Sequence, residues 1–165
     1  MRIEHFIIQN FKRIENLRYN CNQSFNYIVG ENNVGKSTIF EAIRLWKLAF
    51  DEIIISSGKK FYSSGSHRYL SFSNLDFLRL KNDNDIFNKS RSKELSIELG
   101  FAHEDGNYNL RISLEKSSIS ISNSYFRIKY DDNEFKKFSE KILELGLSLR
   151  DSIYIYQTHP IFHSI

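Results

Sequence analysis

The run Gly30-Glu31-Asn32-Asn33-Val34-Gly35-Lys36-Ser37 lies between a compact apolar segment, residues 25–29, and a helical pattern that opens at Lys36. It spells G-x-x-x-x-G-K-[ST], and its chemistry explains its spacing. Gly30 and Gly35 let the backbone curl so that successive N–H groups point inward, and the helix that follows aims the positive end of its dipole at the same spot. An anion is then held mostly by main chain. Lys36 adds a compact, mobile positive charge able to reach β- and γ-phosphates, the Ser37 hydroxyl is placed to ligate magnesium, and Thr38 to bond an α-phosphate. From average residue frequencies, a chance match in a chain of this size has a probability of about one percent or less. The competing reading is a glycine-bearing turn before an ordinary helix, with Lys36 solvated.

The surrounding pattern supplies the strand and the helix that such a loop needs. Residues 3–9 alternate and then run apolar, which predicts a strand closed by the turn-prone Asn10, and a second short strand is expected around Leu17 to Tyr19. Residues 25–29, aromatic and β-branched, read as a buried strand. From Lys36 onward, Ile39, Ile43, Trp46 and Phe50 recur at helical spacing and give one face to pack on a sheet. Residues 55–74 are rich in Ser and Gly, carry Lys59, Lys60, His67 and Arg68, and show no period, so a surface loop is expected. Leu95, Ile97, Leu99 and Phe101 alternate up to the turn Glu104-Asp105-Gly106-Asn107, and Tyr108, Leu110, Ile112 and Leu114 alternate after it: a β-hairpin. Residues 119–130 extend that meander. Phe135, Phe138, Ile142, Leu145 and Leu149 return to helical spacing, with Asp131 or Asp132 available as cap, and residues 153–156 form a short apolar strand running into Gln157.

Composition narrows the class. With 165 residues, 41% hydrophobic and 26% charged, the chain fits one soluble globular domain. No apolar run approaches the roughly 20 residues that cross a bilayer, and the N-terminus Met1-Arg2-Ile3-Glu4-His5 is too polar for a secretion signal, so no membrane association and a cytoplasmic location are expected. The lone cysteine, Cys21, excludes an internal disulfide framework and a cysteine-clustered zinc site. A net charge of +3 leaves only a local basic surface to act on a polyanion. His159 and His163 are four apart, but Pro160 between them and the lack of a nearby carboxylate argue against zinc.

Two stretches together carry a family resemblance. Ile7-Ile8-Gln9-Asn10-Phe11-Lys12-Arg13-Ile14, then Ile28-Val29-Gly30-Glu31-Asn32-Asn33-Val34-Gly35-Lys36-Ser37-Thr38 and Glu41-Ala42-Ile43, resemble the N-terminus of ABC-type ATPases, most closely the branch of SMC, RecF-like and OLD-family proteins. The match is specific over residues 1–45 and only architectural over about 50–150. It implies an α/β P-loop NTPase fold: an ABC-type ATPase N-terminal lobe with an inserted antiparallel sheet. The chain then divides into one ATP-binding lobe, 1–165: strands, phosphate loop and first helix over 1–50, a loop-rich part over 51–92, antiparallel hairpins over 93–130, and a helix, strand and candidate glutamine loop over 131–165.

The resemblance also implies ligands and roles. ATP and Mg²⁺ are the expected cofactors. The segment Ile153-Tyr154-Ile155-Tyr156-Gln157 resembles the strand into the family's glutamine loop, so Gln157 would touch magnesium and the attacking water; the alternative is a polar residue ending a strand. Phe11, Lys12 and Arg13 fall where such proteins bring sheet residues near the base or phosphates; the alternatives are Phe11 in the core and Lys12 in solvent.

Hydrolysis needs an acidic strand end and usually a glutamate, and two places imitate them. Asp51 and Glu52 continue the helix from Lys36, about 20 Å from the loop by helix rise, and Glu104 and Asp105 sit in a hairpin turn, so neither pair qualifies. The family's L-S-G-G signature is missing; Ser56-Ser57-Gly58 and Ser63-Ser64-Gly65 hold fragments of it at the wrong place. The expectation is the first half of an ATPase head, binding nucleotide weakly alone and hydrolysing little. The complete protein is expected to sandwich ATP between two heads and to act on DNA in repair or anti-phage defence, with Lys59, Lys60 and Arg68 as candidate backbone contacts. The alternatives are a non-catalytic nucleotide-binding adaptor or sensor, and a transporter ATPase subunit, which the long insertion disfavours.

Overall fold

The computed structural model describes residues 1–23, 26, 28, 35–63, 65–88, 93–117 and 124–153. The expected strand at 25–29, all of Gly30 to Val34, the first part of the 119–130 stretch, and the segment with Gln157, His159 and His163 lie outside the described residues or are only touched by them.

The described strands form one six-stranded antiparallel sheet: β1 (Arg2–Phe11), β2 (Ile14–Asn20), β3 (Arg68–Ser71), β4 (Glu94–His103), β5 (Gly106–Ser117) and β6 (Tyr125–Tyr130), in the order β2-β1-β4-β5-β6-β3. Strand β1 is central to the architecture, pairing with β2 through Ile8↔Leu17 and Phe11↔Ile14 and with β4 through Ile8↔Ile97. The hairpins are therefore not a separate insertion beside the N-terminal strands; β1 and β2 are part of the same sheet. The β4–β5 hairpin stands as its alternation predicts, closed at His103↔Gly106 with Gly106 at φ 155°. Strand β1 does not stop at Asn10. That residue is left-handed (φ 55°) inside the strand, and its side-chain amide donates to the Glu94 carbonyl at 2.6 Å, so the chain turns at Lys12 and Arg13 instead.

One face of the sheet carries the core. Phe6, Ile8, Ile97, Leu99, Leu110, Ile112, Leu114, Phe126 and Leu70 are buried there beneath α1 (Lys36–Ile53) and α2 (Asp132–Glu144). The buried stripe of α1 is Thr38, Ala42, Leu45, Trp46, Ala49, Phe50 and Ile53. Ile39 and Ile43 are only half-buried, which shifts the face predicted from bulky residues. Ala42 and Ala49, fully buried, put short side chains where the helix meets the sheet, and small residues at such positions permit closer packing than bulk does. Trp46 stacks on Phe50 with ring centroids 5.0 Å apart and donates its indole N–H to the Leu110 carbonyl at 2.9 Å, satisfying the ring's polar atom inside the core.

Helix α2 starts where its cap predicts. The Asp131 carboxylate accepts from the Asn133 and Glu134 N–H groups at 2.8 and 3.1 Å. It ends early, at Gly146 (φ 70°), whose N–H bonds the Leu143 carbonyl while Leu147 bonds Ile142. Leu145 and Leu149 thus lie beyond the helix despite their spacing.

Residues 55–74 are not a simple surface loop. Arg68–Ser71 is an edge strand against β6, and the 3₁₀ helix Phe72–Leu78 follows, with Leu70, Leu75 and Leu78 buried. Four strand residues are too few to establish a period, and the serines around them obscure the apolar positions.

Candidate nucleotide site

The turn between β1 and β2 and the start of α1 meet at one depression of about 250 Å³, lined by Lys12, Arg13, Gly35, Ser37, Thr38 and Glu41. Gly35 caps α1 in the left-handed region (φ 92°, ψ 9°), no side chain among the described residues caps the helix, and its first turn contains no acid. The leading N–H groups of a helix have no intrahelical acceptor, so this terminus presents donors and a positive dipole end. A Cβ at Gly35 would meet nothing within 4 Å. Backbone conformation alone therefore calls for glycine here, since an L residue in this region costs about 1–2 kcal/mol. Ser37 is exposed and Thr38 is buried.

The turn is clamped from several sides. Lys12, itself left-handed (φ 49°), donates its N–H to the Ile86 carbonyl at 2.8 Å, and the Asn88 amide donates to the Lys12 carbonyl at 2.9 Å. The Lys12 ammonium is 2.7 Å from a Glu41 carboxylate oxygen and 3.1 Å from the Leu78 carbonyl. Both side chains of the pair are 22% exposed. Lys12 is thus not a solvated residue: its charge is paired with Glu41 at the edge of the depression. Phe11 is fully buried and bridges Phe87, which makes it core and removes it as a base-stacking surface.

Arg13, next in the chain, is exposed and has no ion-pair partner among the described residues. Lys12 and Arg13 also border a second, shallower depression of about 470 Å³, where Arg79 and Lys81 contribute further positive charge.

Of the residues that sequence reading singles out, Lys12, Arg13, Gly35, Ser37 and Thr38 line one depression, and Lys36 starts the helix beside them. Gly30, Glu31, Asn32, Asn33, Val34 and Gln157 lie outside the described residues. Asp51 and Glu52 fall in the last turn of α1, at the end away from Gly35, and Glu104 and Asp105 form the hairpin turn. Arg68 stacks its guanidinium 3.3 Å from the centre of the Tyr62 ring, and Lys59 and Lys60 are exposed. Glu41 is the lining residue that the site reading left out. Its signal was its place four residues after Ser37, on the same side of the helix. Among the described residues no three His, Cys, Asp or Glu side chains gather as a metal site, and no helix is long and apolar enough to cross a membrane.

The DNA replication and repair protein RecF of Actinobacillus pleuropneumoniae serotype 5b is 31% identical over 78 residues, covering 47% of this chain and 19% of the relative. That of Francisella tularensis subsp. mediasiatica is 28% identical over 141 residues, covering 75% and 36%, and that of Pasteurella multocida 28% over 78 residues, covering 47% and 19%. The chain spans between 19% and 36% of the length of these relatives. The family described as AAA ATPase domain matches residues 1–164, and with nearly the whole chain inside that match, this mixed α/β protein with its antiparallel sheet belongs to the AAA ATPase domain family.

Proposed function

We propose that this chain is the ATP-binding first lobe of a P-loop NTPase of the ABC type, holding the triphosphate at Gly35–Thr38 together with the loop Gly30, Glu31, Asn32, Asn33 and Val34. The observation that carries the reading is the start of α1: a left-handed glycine, a first turn with no acid and no capping side chain among the described residues, and an exposed Ser37, all facing one depression beside Arg13. These are the donors an anion needs, and they suit Mg²⁺ as well, because a serine hydroxyl is a hard oxygen ligand. Lys36 reaches the β- and γ-phosphates, Ser37 holds the ion, Thr38 bonds the α-phosphate, and Arg13 adds charge at the rim. The ion, when bound with nucleotide, neutralises part of the phosphate charge.

For the complete protein, we assign Gln157 to water positioning, a second head to the far side of the nucleotide, and DNA as the partner class, the last supported by the names of the RecF relatives. The test is calorimetry with Mg-ATP. Lys36→Ala is expected to remove most of the affinity, since a charge-assisted phosphate contact goes with it. An unchanged dissociation constant overturns the assignment.

A further inference from the structure

Resting on that nucleotide reading, we infer that Glu41 is a positioning residue that masks Lys12: its carboxylate holds the Lys12 ammonium off the phosphates and pins the β1–β2 turn at the mouth of the site. Ser37 and Glu41 are four apart on α1 and line the same depression, so a carboxylate stands in the wall of a cavity built for a polyanion. Unpaired, it would repel the phosphates. It is paired, at 2.7 Å, with an ammonium that also donates to the Leu78 carbonyl, and the limited exposure of both side chains weakens solvent screening of the pair. The same contacts tie the strained turn to α1 and to the 3₁₀ helix, while Ile86 and Asn88 hold its main chain. Among the described lining residues Lys12 and Glu41 cancel, which leaves Arg13 as the net charge of this wall, in addition to Lys36 at the start of the helix. Glu41 sets how much positive charge the nucleotide meets and where the turn that carries Arg13 stands.

A double-mutant cycle on nucleotide affinity separates this from direct phosphate contact by Lys12. Glu41→Gln keeps the shape and an acceptor for Lys12 but removes the negative charge. It is expected to tighten Mg-ATP roughly tenfold, the worth of one charge-assisted contact, Mg-ADP less, and adenosine not at all. Lys12→Met leaves the carboxylate bare and is expected to weaken Mg-ATP roughly tenfold. The double variant, with both charges gone, is expected within about threefold of wild type. Adenosine is the control for a merely structural brace, whose loss would weaken all three ligands alike. Two results overturn the inference while leaving the nucleotide reading in place: a double variant as weak as Lys12→Met, or a Glu41→Gln chain that binds ATP no better than wild type. A wild-type chain that takes up no ATP overturns the nucleotide reading and this inference together. Unfolding midpoints of the three variants confirm that folded protein is being titrated, and Glu41→Ala, which must shift ATP affinity in the same direction, replaces Glu41→Gln if the latter does not fold.

Discussion

Gly100 lies on β4 directly opposite His5 on β1, and the pairing of these two strands places the Lys12 turn. A Cβ built on Gly100 would stand 2.1 Å from His5 Cε1, 2.4 Å from Nδ1 and 2.6 Å from Nε2. The ring covers the glycine, is 6% exposed as a residue, and reaches Glu98 at 3.2 Å through Nε2. Gly100→Ala cannot keep that ring in place. Replacing a strand glycine by alanine gains about 0.5–1 kcal/mol in chain entropy, but overpacking of this kind costs about 1–3, and a hydrogen bond lost as the ring swings out adds about 1. The net expectation is a destabilisation of about 1–3.5 kcal/mol, which for a domain of this size lowers the unfolding temperature by roughly 2–14 °C. His5→Ala opens the same space from the other side. The pair of substitutions should therefore be non-additive by about 1 kcal/mol or more, with the double variant more stable than the two single losses summed. The assay is urea and thermal unfolding followed by fluorescence of Trp46, the chain's one tryptophan, which sits in the core under these strands. A Gly100→Ala chain as stable as wild type, or strict additivity with His5→Ala, refutes the packing argument.

Two further outcomes follow from particular residues. Burial pushes the Tyr130 hydroxyl from its ordinary 10 up to about 12, with the Asp132 charge adding to the rise and Arg68 opposing it. Between pH 10 and 12 the unfolded chain releases this proton while the folded chain keeps it, so the stability it contributes, complete below pH 10, is lost as pH rises through that window. Tyr130→Phe should flatten that alkaline loss in pH-dependent unfolding. At neutral pH it should cost nothing, because the hydroxyl is buried without a hydrogen-bond partner among the described residues; an unchanged alkaline limb, or a clear loss at neutral pH, contradicts this. Gly35→Ala meets no steric obstacle but must hold φ 92°, so it should lower stability by about 1–2 kcal/mol in denaturant unfolding and weaken Mg-ATP in calorimetry. A variant equal to wild type in both measurements contradicts the left-handed requirement.

What the sequence reveals here is what is local. The β4–β5 hairpin shows because alternation and turn chemistry lie within one short stretch, and the start of α1 shows because Gly35, Lys36 and Ser37 are adjacent. The Asp131 cap shows for the same reason. Edge strand β3 stays hidden because Arg68–Ser71 spans only two periods of alternation and is set by its pairing with β6. The stripe of α1 is read out of phase because packing on the sheet selects Ala42 and Ala49, which carry little weight in a hydropathy pattern. The same limit applies to the site. Lys12 and Glu41 are 29 residues apart, and nothing in either segment announces that one neutralises the other.

The central claim is that the amides and hydroxyl opening α1 grip a polyphosphate. Backbone amide NMR of the isotopically labelled chain, titrated with Mg-ATP and then with adenosine, tests it most directly. The account predicts Mg-ATP shifts concentrated at Gly35, Lys36, Ser37 and Thr38 and at the Lys12-Arg13 turn, with adenosine leaving these amides in place. Shifts confined to the open face of the sheet, or none at the start of α1 at saturating nucleotide, would contradict it.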